Sequence, residues 1–382
     1  MNKIRTKIRT RRTGNIAVMS VFMLSSLIAL VAFAINMGNI ANALAILQNA
    51  GDSSAKAAAW ELLKNFDSPN AQTLATQQAV NMVQATMVSQ GVNNTLVPAT
   101  DVKYGRFEWD KNTNSYVVTW GTTPSNLIQA KLSRIDPRQN ALSVILKNIL
   151  RRNTVELRST TNVALIPATG FSLPGDSTKK LAILPVTLDI DTWIQLEQGS
   201  FLDQYSVNTT TNAVTSGSDG KREVKIFPLG NSSLPAGNRG TIRLGANNNS
   251  TSKLSRQIRE GLNATDMSYH NGSLSVADGP IVIPGDPGIS AGIENDLISI
   301  IGQDRILPLF TSVSGNGANC SYTIVKFVGV KVVRVNLRGS ASSKELVVQP
   351  SNFTVDEAIT NMKMPFNKLG TVFVKPMFID AQ

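Results

Sequence analysis

Twenty consecutive residues, Ile16–Ile35, contain no charge, no proline and no glycine, and that run restricts the folds open to everything after it. As a helix rising about 1.5 Å per residue it spans roughly 30 Å, the thickness of a bilayer's hydrocarbon core. Eleven of the twenty are Leu, Ile, Val or Phe. Insertion therefore gains roughly 3 to 7 kcal/mol, less a small cost for Ser20, Ser25 and Ser26. The run reads as a membrane span. A buried core helix is the alternative, but such helices seldom run this long with no polar residue beyond serine.

The flanks give the span a direction. Lys3, Arg5, Lys7, Arg9, Arg11 and Arg12 precede it with no acidic residue among them, and the next charge after it is Asp52. Positive charge stays on the cytoplasmic side. The expectation is a single-pass inner-membrane protein with its N-terminus inside and its bulk periplasmic or extracellular. A cleaved signal peptide competes with this, because Ala41-Asn42-Ala43 resembles a peptidase site, although the apolar run exceeds the usual length.

Composition narrows the chemistry of the exported part. The net charge is +11, and removing the six tail charges leaves +5, too dilute to indicate a nucleic-acid partner. The tail itself suits anionic lipid headgroups. A single cysteine, Cys320, rules out an intramolecular disulfide and leaves either a small buried residue or an intermolecular bridge. The single histidine, His270, lies in a polar stretch, so nucleophilic triads and multi-histidine zinc sites lack parts. No catalytic residue, cofactor or metal is assigned, and the expectation is a protein that is not an enzyme.

Helical spacing continues through residues 36–64, with Gly51-Asp52-Ser53 a place to bend. Ser68 followed by Pro69 reads as the cap of a second helix over 69–89, whose face would be Leu74, Gln78, Val80, Met82, Val83 and Met87. Aromatic segments 104–109 and 116–120 read as a β-hairpin, 127–135 as a strand, 141–150 as a short helix and 155–166 as a strand. Residues 168–180 are linker-like and 207–223 a polar loop. Thr251–Leu262 reads as a helix stopped at Gly261, and Tyr322–Leu337 as a strand.

The expected fold class is thus α+β. A transmembrane helix extends into a helical hairpin packed on an antiparallel sheet, and a mostly-β second domain follows. The expected domains are a basic tail (1–15), the span (16–35), a pilin-like α+β domain (36–167), a linker (168–180) and the mostly-β domain (181–382).

The N-terminal residues carry a resemblance. Arg11-Arg12-Thr13-Gly14-Asn15-Ile16-Ala17-Val18, then Ala34-Ile35-Asn36-Met37-Gly38-Asn39, then Leu47-Gln48-Asn49-Ala50-Gly51-Asp52 resemble the opening of TadG-like (TadE/TadG-like) proteins of the Tad, or Flp pilus, machinery. About fifty residues are covered. Two departures stand out: Asn36 replaces an aspartate of the family pattern, and Gly51, Ser53 and Ser54 replace alanines. The metal-binding D-x-S-x-S of some relatives is not kept, because Lys56 takes the place of the last serine. The fifth position after Gly14 is Met19, where a processed pilin would carry glutamate.

The resemblance implies an uncut, anchored accessory or pseudopilin-like component of a Flp/Tad pilus or related secretion apparatus. It would work by packing with partner subunits in a hetero- or homo-oligomer, through the span and a small-residue stripe at Ala41, Ala45 and Ala55. The alternative is an anchored surface adhesin or glycan-binding protein using the polar loop 207–223 and the cluster 279–288. Asp189 and Asp191, at strand spacing, would serve an anchored hydrolase. Asp110-x-Asn112-x-Asn114 copies half of a calcium loop but reads as a hairpin turn. The N-x-S/T triplets at Asn93, Asn231, Asn263, Asn271 and Asn352 would matter only in a eukaryotic lumen.

Overall fold

The structure is a computed structural model that describes residues 14–66, 68–110, 112–145, 147, 152–208, 210–227, 240–245, 248–315, 319–339, 343–361 and 369–380. The six basic tail residues and Asn231 lie outside these. Gly14 and Asn15 are described as helical backbone alone.

The chain mixes helix and sheet, with one long apolar N-terminal helix and a mostly-β remainder. Helix α1 (Gly14–Lys64) runs 51 residues, unbroken through Gly51, Asp52 and Ser53. Its first part has the length and composition to cross a membrane, and only 6% of its most apolar window is buried. Further on, Ala43, Leu47, Ala50 and Ser54 are buried at spacings of four, three and four, as one helix face pressed on protein requires.

Helix α2 (Ala71–Met87) opens two residues later than the sequence suggests. Pro69 and Asn70 form a turn in which the Asn70 N–H donates to Ser68 Oγ at 3.3 Å. Of its expected face only Val83 and Met87 are buried. Ala71, Ala75, Ala79, Val83 and Met87 face inward, while Leu74 is exposed. Alanines let a helix pack closely, and an apolar count therefore underrates that face.

Strands β1 (Val102–Asp110) and β2 (Ser115–Trp120) form the expected antiparallel hairpin, in register from Gly105 opposite Trp120 to Asp110 opposite Ser115. Then come β3 (Leu127–Arg134), β4 (Leu142–Ser143), β5 (Thr154–Val155) and β6 (Leu157–Ala164). One five-stranded sheet has the order β2-β1-β3-β6 and then Met377–Phe378.

The helix expected over 141–150 does not begin at Ala141, although Lys147 is helical. Leu142 and Ser143 pair instead with Val155 and Thr154. Val144 and Ile145 are β-branched, and both peptide groups of Ile145 are taken by the Asn36 side chain. Residues 146 and 148–150 lie outside the description.

By internal packing the chain falls into two units: Met1–Ala55, Gln78–Val102 and Gln129–Thr161 form one, and Lys56–Gln77, Lys103–Ile128 and Asn162–Gln382 the other. The second is built on the 17-residue strand Cys320–Asn336. That strand pairs with Ile281–Pro287, Asp304–Ser314 and Glu345–Pro350, all antiparallel. Ile306 and Phe327 belong to one apolar cluster, Leu307 and Val328 to another. That period-two split is what a sheet covered on both faces produces. The helix Thr251–Glu260 ends at Gly261, whose φ of +87° suits glycine.

Candidate functional site

The chemistry-bearing residues of the N-terminal motif can be placed from the helix outward. Ala17 and Val18 are exposed on α1. Asn36 is buried, and its Nδ2 donates to the Ile145 carbonyl at 2.9 Å while its Oδ1 accepts from the Ile145 N–H at 2.8 Å. One amide thus satisfies both peptide groups of a residue 109 positions away. An aspartate there would offer only acceptors and oppose the carbonyl.

Gly38 faces open space. Leu47 and Ala50 are fully buried, and Gln48 and Asn49 are exposed. Asp52 accepts from Thr161 Oγ1 at 2.8 Å. At Gly51 a Cβ would sit 3.1 Å from that same Oγ1 and 3.6 Å from Ser159 Oγ, so the missing side chain lets β6 approach. The expected small-residue stripe divides: Ala41 and Ala45 are exposed, whereas Ala55 is buried. The motif therefore has an inner face that holds α1 in its unit and an outer face, with Gly38, Ala41 and Ala45, that is exposed.

The other candidates are absorbed by structure. Asp189 ends a short strand and caps the helix Ile190–Glu197, accepting from the Thr192 N–H at 2.9 Å. Asp191 lies inside that helix and is exposed, so the two carboxylates do not share a strand face. Asp110 accepts from Asn112 N–H and Thr113 Oγ1, spending its oxygens on the hairpin turn. Cys320 is buried and donates to the Gly285 carbonyl at 3.1 Å; burial pushes its thiol pKa up. No group of three or more His, Cys, Asp or Glu able to hold a metal occurs among the described residues.

Within the second unit a cavity of about 700 Å³ is lined in part by Leu62, Phe66, Leu196, Glu197, Lys221 and Arg222. Its carboxylate is already engaged: Glu197 Oε1 accepts from Trp193 Nε1 at 3.2 Å and lies 3.7 Å from Lys326 Nζ. Part of the polar loop 207–223 is a two-strand ladder, Tyr205–Val207 with Val214–Ser216. Asp203 braces it by accepting from Ser218 Oγ and from the Asp219 and Gly220 N–H groups. No family model, curated protein or solved structure matches this chain.

Sequence reasoning missed the Asn36–Ile145 pairing because its partner segment reads as a helix. The signal available was the placement of Asn36 itself, a hydrogen-bonding side chain one residue past the end of the apolar run.

Proposed function

We propose that this chain is a single-pass membrane-anchored, non-enzymatic accessory component, pseudopilin-like or TadG-like, of a Flp/Tad pilus or related secretion apparatus. Residues 16–35 cross the inner membrane with the basic tail inside, and the remainder is periplasmic. Both α1 and α2 pack on the antiparallel sheet as a helical hairpin. Lipid surrounds the span, and other subunits take the outer face at Gly38, Ala41 and Ala45, where small side chains permit close helix approach.

The observation that carries this reading is the continuity of α1. An exposed, charge-free helix runs without interruption into a face that is buried and hydrogen-bonded at Asn36, Leu47, Ala50 and Asp52. Cutting at Ala41–Ala43 would remove Asn36 from the folded part, so the fold favours an uncleaved anchor over a signal peptide.

N-terminal sequencing of the membrane-extracted protein tests the anchor. A start at Met1 or Asn2 is expected; one near Asn42 to Leu44 would overturn it, and one at Asn15 would place the chain in a fibre. Photo-crosslinkers at Ala41 and Ala45 should capture apparatus subunits in cells. An adhesin would instead give no crosslink there, and deleting the apparatus would leave its surface display unchanged.

A further inference from the structure

A second cavity, of about 770 Å³, lies wholly within the first unit, between the last turns of α2 and the chain that follows it. Its volume falls in the range that small ligands occupy. Val80, Val83, Met87 and Leu96 line part of it, and Gln84, Asn93, Asn94 and Thr95 supply polar groups. No charged residue occurs from Ser68 through Thr100. The ion pair beside this loop is closed: Arg138 binds Asp101 at 2.7 Å and gives a further bond to the Thr95 carbonyl at 3.1 Å. A charged ligand would lose its hydration here without gaining a counter-ion.

The hydrogen-bonding groups of the loop are unevenly used. The Thr95 carbonyl accepts from the Ser133 N–H at 2.8 Å as well as from Arg138, and the Asn93 carbonyl accepts from Asn140 Nδ2 at 2.9 Å. Among the described residues, nothing accepts from the N–H groups of Asn93, Asn94, Thr95 and Leu96. The side chains of Gln84, Asn93, Asn94 and Thr95 likewise make no hydrogen bond among them. Thr95 is only 2% exposed and lines the cavity, and a buried hydroxyl without a partner is costly. Donors are in surplus, and the cavity calls for a neutral ligand that accepts.

We infer that this cavity binds an uncharged, acetamido-bearing sugar, an N-acetylhexosamine unit of a glycan. The acetamido carbonyl accepts from the free peptide N–H groups and the Thr95 hydroxyl. Its N–H donates to an amide oxygen of Gln84 or Asn94, and its methyl lies against the apolar side chains. Ring hydroxyls, which both donate and accept, meet the remaining amides. An added peptide strand would need the N–H and the C=O of the same residues, and the carbonyls of Asn93 and Thr95 are already taken.

The test uses the full chain in a detergent without a sugar headgroup and measures saturation-transfer NMR to N,N′-diacetylchitobiose and to cellobiose. Transfer to the acetamido methyls, with about tenfold less to cellobiose, is expected. Equal transfer to both, or transfer to neither, overturns the assignment. Thr95→Val keeps the shape and the backbone and removes the hydroxyl, so the dissociation constant should rise about three- to tenfold. Ala85→Trp, at an exposed lining position of α2, should fill the cavity and abolish binding while the unfolding midpoint stays near the parent's. Unchanged binding in both variants would place the sugar elsewhere and overturn the site. Cleavage near Asn42, which would overturn the anchor, leaves α2 and this cavity in the chain, so the two readings fail separately.

Discussion

Asn36 shows how one side chain can decide the course of a distant segment. Its amide matches the donor and acceptor of a peptide unit, and the Ile145 peptide is bound as though by a neighbouring strand. Replacing it with aspartate sets an oxygen against the Ile145 carbonyl and buries a charge, which should cost about 1–3 kcal/mol. Alanine loses the bonds without adding repulsion and should cost less. Denaturation of the detergent-extracted variants gives the order, and an N36D protein as stable as the parent would refute the pairing. At Cys320 the prediction is chemical. A buried thiol whose pKa is raised by burial presents little thiolate, so native protein should resist alkylation and react fully once unfolded. A dimer on a non-reducing gel of freshly extracted protein would contradict this.

At the scale of elements, packing decides which helical residues matter. In α2 the buried positions are mostly alanines whereas Leu74 is exposed, so Ala75→Leu should destabilise by about 1–3 kcal/mol through overpacking. Leu74→Glu should stay within about 0.5 kcal/mol of the parent. Equal effects of the two, measured by thermal unfolding, would mean the face is turned the other way. The contrast also explains what the sequence could reveal. Period-two alternation and aromatic content were enough for β1, β2 and the strand Cys320–Asn336, and the glycine stop at Gly261 was enough for the helix before it. The α2 face was obscured because alanine carries burial without carrying hydrophobicity. Residues 142–145 are not helical although they share the helical spacing, because Ile145 makes a tertiary contact 109 residues away, which no local pattern encodes. The same gap hid half of the site: the helix motif was readable and its partner was not.

For the whole molecule, pH offers a test that isolates a single group. The chain has one histidine, so between about pH 5.5 and 7 His270 is the one side chain with an ordinary pKa in range. Burial lowers its pKa below 6.5, against the opposing pull of a hydrogen bond with the Leu244 backbone and the charge of Asp266. Asp266 is itself held by Arg256 at 2.6 Å. A base whose pKa is depressed on folding contributes stability above its unfolded value, and that stability is lost as pH falls, because the unfolded chain takes up the proton more readily. Glu223 acts with the opposite sign. Burial and its neighbours Asp203 and Asp219 raise its pKa, so protonation at low pH relieves the folded state. The unfolding midpoint should therefore decline from pH 7.5 to 5.5 in the parent protein and stay nearly level in H270Q, which has no imidazole to charge. An H270Q protein that keeps the full decline would place the titrating group elsewhere.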